Sequence, residues 1–219
     1  MLRCCVRCAS FPAPSGPIGP TGPPQVTPLN THPDKSALRL AARASRSAFV
    51  EGLDRMAHRL AFRALPSPVR SWLGGRQCVA LYAQVNEEAP ALRLAEALVA
   101  EGKLLCLPRM VDRMGSMEFR AWAPGDPLED GPFGTRSPAA DALLCHPDAI
   151  IAPLLAFDTR LMRLGQGGGY YDRAFARYDQ ALRIGLGWSV QQVEQVPDDV
   201  WDVPLHLVIT ERSLIEPVG

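Results

Sequence analysis

Residues 77–82 read Gln-Cys-Val-Ala-Leu-Tyr and residues 104–107 read Leu-Leu-Cys-Leu. Both are apolar runs of strand length. Between them, in residues 90–101, Leu92, Ala95, Leu98 and Val99 recur at helical spacing, and Gly102 stands where that helix must stop. A strand, a helix and a second strand in this order predict parallel neighbours joined by a right-handed crossover, and therefore an α/β fold. Residues 149–152, 183–188 and 207–210 read as further strands, and 117–122 alternates as an exposed or edge strand would. Residues 170–178 predict a helix with Tyr171, Ala174, Phe175 and Tyr178 on one side. Upstream, Thr31, Pro33 and Asp34 form a helix-start signal. Leu38, Phe49, Leu53, Met56 and Leu60 then predict one long helix, ended by Pro66 and Pro68. The expected architecture is α/β, a single domain over 34–219 with a central, mostly parallel sheet flanked by helices. Residues 1–33, basic, acid-free and rich in proline and glycine, read as a disordered extension rather than a signal or targeting segment.

Composition excludes several classes of function. Lys+Arg and Asp+Glu balance at 23 each, so no overall field favours nucleic acid or an anionic membrane. No apolar run has the roughly 18–20 residues of a membrane span. The basic residues are almost all arginine, Lys35 and Lys103 being the only lysines. Cys5 and Cys8 have metal or redox spacing, but no second pair or histidine cluster completes a zinc site. Cys78, Cys106 and Cys145 read as reduced, mostly buried thiols of a cytoplasmic protein.

The chemistry-bearing stretch is 163–172, Arg-Leu-Gly-Gln-Gly-Gly-Gly-Tyr-Tyr-Asp. Gly165, Gly167, Gly168 and Gly169 let the backbone take φ > 0 and approach a ligand closely. Successive N–H groups in such a turn, followed by a helix N-terminus, make an anion-binding concavity. Arg163 adds a cationic fork, and Asp172 adds a hard oxygen donor suited to Mg²⁺. There is no Gly-Lys-Ser/Thr as in a Walker loop, and Tyr170 stands where a dinucleotide fingerprint needs glycine. On their own, these residues say phosphate or carboxylate site with a metal option, against the plainer reading of a flexible loop. The stripe of Lys35, Arg39, Arg43 and Arg46 reads as a solvated helix face, with phosphate binding by its first turns as the alternative.

The longer string is more specific. Residues 153–158 (Pro-Leu-Leu-Ala-Phe-Asp) and then 163–173 resemble the 5-formyltetrahydrofolate cyclo-ligase family, also called 5,10-methenyltetrahydrofolate synthetase. Lys35-x-x-x-Arg39, Tyr82 with Glu88 six residues on, Gly102-Lys103, Leu107-Pro108-Arg109, Gln191, Val196-Pro197, Asp202-Val203-Pro204 and Thr210-Glu211 fit in order. The resemblance implies a fold like that of ribose-5-phosphate isomerases and CoA transferases. It also implies ATP-dependent conversion of 5-formyltetrahydrofolate to the 5,10-methenyl form. It assigns Lys35, Arg39 and Arg163 to ATP phosphates, with the backbone of Leu164, Gly165, Gln166, Gly167, Gly168, Gly169, Tyr170 and Tyr171. Asp172 and Asp202 match magnesium-binding aspartates, with Mg²⁺ and ATP as the implied cofactor and co-substrate. Ala83, Glu88 and Gln166, Gly167, Gly168, Gly169 and Tyr170 match folate contacts, and Arg163, Tyr170 and Asp172 are the implied catalytic set.

Plainer roles stand beside these: Asp172 as an acid complementing a helix dipole, Glu88 as a solvated loop acid, Asp202 as a turn residue, and the four histidines as structural. Leu161 occupies a position where the family usually has glycine; Gln84, Pro90, Ser137 and His206 also depart from its pattern, mostly on the folate side. The rival readings are a divergent homologue using ATP on another amide-like substrate, and a non-enzymatic nucleotide-binding module. The chain is expected to be a monomer, with folate and ATP as its small-molecule partners and neither nucleic acid nor membrane among them.

Overall fold

The structure is a computed structural model that describes residues 33–111 and 116–217. The expectation for the N-terminal extension falls on residues outside that range, apart from Pro33. The chain starts with α1 (Pro33–Glu51), α2 (Arg55–Leu60) and α3 (Ser67–Trp72). One long helix was expected here, and the chain instead breaks at 52–54. Gly52 ends α1, and the Asp54 carboxylate caps α2 by accepting from Met56 N at 2.8 Å and Ala57 N at 3.2 Å. The periodicity that ran across this break was misleading: Met56 and Leu60 are exposed.

The strand–helix–strand unit is present. β1 (Cys78–Ala80) leads through a 3₁₀ turn (Ala91–Leu94) and α4 (Ala95–Ala100) to β2 (Leu104–Met110), which is parallel to β1. Gly102 takes φ +75° at the stop. Then follow β3 (Met117–Ala121), the small hairpin β4 (Glu129–Asp130) and β5 (Arg136–Ser137), β6 (Leu144–Cys145) and β7 (Ala149–Pro153). β8 (Ala156–Phe157) and β9 (Arg163–Leu164) form a short antiparallel pair before α5 (Tyr170–Arg177). β10 (Leu182–Leu186), β11 (Leu207–Ile209) and β12 (Leu214–Ile215) complete the chain. The main sheet has the order β12-β11-β10-β7-β1-β2-β3-β6. Its five central strands are parallel; β12 at one side and β3 at the other run against them, and β6, paired antiparallel to β3, runs with them again. β3 was read as an exposed or edge strand, but β6 covers it, so its alternation marks a penultimate strand.

Strand residues alternate between two apolar layers. Val79, Leu105, Leu107, Ile151, Ile184 and Leu207 pack with α3 and α4, while Ala80, Cys106, Ile150, Ala152 and Val208 pack with Ala174, Phe175 and Tyr178 of α5. The sheet is therefore flanked on both faces, as the sequence predicts. From β1 the chain goes to β2 on one side and later returns to β7 on the other. The switch point of this sheet lies between β1 and β7, at their C-terminal ends. That is where open α/β sheets leave a ligand crevice.

Candidate functional site

Two loops leave the switch point. One follows β1 and carries Tyr82, Ala83 and Glu88; the other follows β7 and carries residues 154–169 into α5. The second is held by Asp158, whose fully buried carboxylate accepts from Arg160 N (2.9 Å), Met162 N (3.1 Å) and Val196 N (3.0 Å), and pairs with the Arg160 guanidinium. At the glycine position of the family pattern, Leu161 itself adopts φ +65° with its side chain buried. The turn is thus kept in the left-handed region without glycine.

The glycine loop follows. Gly167 and Gly169 take φ +106° and +64°, conformations in which a side chain is strained. Gly169 caps α5, so Asp172 lies in the helix's first turn. Asp172 Oδ1 accepts from Arg163 Nη2 at 2.6 Å. Arg163 is buried against the Tyr171 and Phe175 rings, and its Nε has no partner among the described residues. An orphaned buried N–H on a cation is costly unless something anionic reaches it.

The basic stripe on α1 faces this loop, which overturns its reading as a solvated face. Arg39 Nε donates to Gly165 O at 3.0 Å, and the guanidinium lies under Gly167, 3.5 Å from where a Cβ there would be. Burial first, and then the like charge of Arg43, draw Arg39 below its ordinary pKa, with Asp202 pulling the other way. Arg43 Nη2 donates to Gln166 Oε1 at 2.8 Å. Lys35 is buried and donates to Asp199 Oδ2 at 2.6 Å and to Asp202 Oδ2. Burial alone would lower the Lys35 pKa, but hydrogen bonds and charge from the two aspartates outweigh it, and the net direction is upward. Asp202 Oδ2 also accepts from Asp199 N at 2.8 Å, which fixes the 199–202 turn.

On the other loop, Tyr82 is buried and its hydroxyl donates to Ala89 O at 2.6 Å. Glu88 accepts from Val85 N at 3.0 Å and is hydrogen-bonded to Gln166. Burial raises its pKa, with Val85 N, Arg46 and Gln166 pulling the other way. Glu88 is thus not the solvated loop acid of the plainer reading. Burial likewise pushes Tyr171 upward, next to Glu88 and Arg163. Gln166 joins the two loops: Arg43 lies on one side of its side chain and Glu88 on the other.

Lys35, Arg39, Arg163, Gln166, Glu88, Tyr171, Asp172 and Asp202 therefore form one neighbourhood, linked by contacts from four distant segments. Three further members escaped the sequence reading. Arg43 and Arg46 were placed on a solvated stripe; Arg46 is in fact buried near Glu87 and Glu88, with no hydrogen-bond partner for Nε and Nη1 among the described residues. Asp199 had a readable signal, since it stands three residues before Asp202 and so can share one turn with it.

Residues 32–211 match the 5-formyltetrahydrofolate cyclo-ligase family. The chain belongs to that family. The 5-formyltetrahydrofolate cyclo-ligase of Haemophilus influenzae is 32% identical over 138 residues, covering 60% of this chain and 74% of the relative. The Escherichia coli K12 enzyme is 31% identical over 145 residues, covering 63% of this chain and 80% of its own. Among solved structures, Aquifex aeolicus 5,10-methenyltetrahydrofolate synthetase aligns with a TM-score of 0.63 and 29% identity, covering 83% of this chain and 92% of that one. The synthetase from Mycoplasma pneumoniae, at 22% identity and a TM-score of 0.61, shares the fold. The family's members are ligases.

Proposed function

We propose that the protein uses Mg-ATP to convert 5-formyltetrahydrofolate to 5,10-methenyltetrahydrofolate in the cytoplasm. In this proposal the glycine loop is where ATP and folate meet. The observation that carries it is Gln166, which sits between the cation-rich α1 face and the half-buried Glu88. Lys35, Arg39 and Arg163, with the backbone N–H groups of residues 164–171, would take the ATP phosphates. Ala83, Glu88 and residues 166–170 would take the folate.

A formyl group on N5 is an amide and a poor electrophile. Transfer of the γ-phosphoryl group to its oxygen makes that oxygen a leaving group. N10 then attacks the carbon and loses its proton; the C–O bond breaks, and phosphate departs with ADP already formed. Phosphoryl transfer asks the protein mainly for position and positive charge around the moving group. Arg39 and Arg163 supply that charge, and the orphaned Arg163 Nε suits an incoming oxygen. Both attacking groups belong to the substrates, so no activated serine or cysteine is required. Asp172 and Asp202 would hold Mg²⁺ through oxygens that also face Arg163 and Lys35; bound there, the ion neutralises phosphate charge. Arg163, Tyr170 and Asp172 form the proposed catalytic set.

The purified full-length protein with Mg-ATP should convert 5-formyltetrahydrofolate to the methenyl product, followed by that product's near-ultraviolet absorbance. ATP binding without product at high enzyme concentration would sink the assignment and favour a nucleotide-binding module.

A further inference from the structure

Three thiols converge on the α5 face of the sheet, outside the glycine-loop neighbourhood. Cys78 lies in β1, Cys106 in β2 and Cys145 in β6. Ala80 pairs with Cys106, so Cys78 shares that sheet face one pleat away; across β3, Cys106 pairs with Ala121 and Cys145 with Phe119. All three sulfurs lie within 4.8 Å of one another, and Cys78 Sγ is 3.7 Å from Cys106 Sγ. All three cysteines are free thiols; Cys106 is buried, and Cys78 and Cys145 are half-buried against the apolar layer under α5. The proposed reaction does not use them.

From this geometry we propose a second site: Cys78, Cys106 and Cys145 form a trigonal thiolate site for a soft monovalent metal ion, Cu(I). The donor set consists of sulfur alone, and no histidine, aspartate or glutamate among the described residues completes it to four. Structural zinc requires a fourth ligand, whereas thiolates select Cu(I) among soft ions. Three metal–sulfur bonds of about 2.3 Å in one plane place the sulfurs about 4 Å apart, so the observed triangle needs only small adjustments. The cross-strand neighbour of Cys106 on the same sheet face is Ala121, whose side chain is a single methyl group. Half-buried Cys145 provides the entry side, and the apolar surroundings keep water from competing. Binding forms three Cu–S bonds, releases the thiol protons to solvent and changes no oxidation state.

The test uses the full-length chain with Cys4→Ser, Cys5→Ser and Cys8→Ser, which removes the remaining cysteines. The reduced protein is titrated anaerobically with Cu(I) held by a chromophoric chelator. The expected result is withdrawal of one equivalent, a new thiolate-to-copper ultraviolet band and a higher melting temperature. Cys106→Ser, and separately the half-buried Cys145→Ser, should each weaken uptake by about a hundredfold or more. The second variant keeps the test valid if the first fails to fold. No uptake from the chelator, uptake unchanged by Cys145→Ser, or Zn²⁺ bound as tightly as Cu(I) would each overturn the proposal. So would quantitative Cys78–Cys106 disulfide formation in air with no competing protection by Cu(I).

Discussion

At the residue scale, the departures from the family pattern show what a position requires. Leu161 holds a left-handed conformation in place of glycine, with its side chain in the layer that contains Phe157 and Phe175. The strain costs about 1 kcal/mol or somewhat more. Burial of the leucine returns about 1.5–3 kcal/mol, so the apolar contact outweighs the strain. Leu161→Gly should therefore destabilise the protein by about 1–2 kcal/mol despite relieving the backbone. A lower urea midpoint at unchanged slope would show it; a rise would mean that the strain dominates. His206, another of the departures, serves as an acceptor: its Nδ1 takes the Arg183 N–H at 2.9 Å. Burial first, then Arg183 and Arg76, lower its pKa. The unfolded chain therefore binds a proton before the native protein does, and stability falls as pH drops below the unfolded value of about 6.5. His206→Asn keeps an acceptor that cannot titrate. Its unfolding free energy should fall less than the wild type's between about pH 7.5 and 5.5. Equal slopes would remove His206 from the acid limb.

At the element scale, α1 shows what periodicity can and cannot say. The spacing of Lys35, Arg39, Arg43 and Arg46 correctly places four cations on one stripe. Which way the stripe points is a tertiary fact, because only the sheet and the 199–202 turn supply the partners. The parallel core, by contrast, was legible: runs such as 77–82 and 149–152 are apolar on both faces because helices cover both. The break at 52–54 is a matter of local chemistry, Gly52 and the Asp54 cap, and it overrode the apolar spacing around it. The stripe's direction has a consequence for binding. Arg39→Ala removes a charge-assisted contact of about 1.5–3 kcal/mol to the proposed phosphate, so KM for ATP should rise about tenfold or more. Arg39 is only half-buried, so the unliganded protein should lose less than about 1 kcal/mol. Equal losses of stability and affinity would make Arg39 a strut for the loop.

At the scale of the whole molecule, the site exists only when the chain is folded. Lys35 and Asp202 are 167 positions apart, and Arg39 and Gly165 are 126 apart. Two of these segments keep donors to spare among the described residues: the buried Arg163, though paired with Asp172, has an unpartnered Nε, and Arg39 has the like charge of Arg43 beside it. A polyphosphate bound at the glycine loop would bridge these segments in the native state alone, so it should stabilise the fold by mass action. At about a hundred times its Kd that amounts to about 2.7 kcal/mol, or a rise of about 5–10 °C in melting temperature. The proposed cradle offers N–H groups and cations rather than an apolar slot, so phosphates should carry most of the effect. Mg-ATP is therefore expected to raise the melting temperature far more than AMP at equal concentration. The Mg-ATP rise should shrink in Arg39→Ala at matched nucleotide, while that variant's unliganded transition stays near the wild type's. An equal shift from AMP would move the recognition to the base and away from the glycine loop.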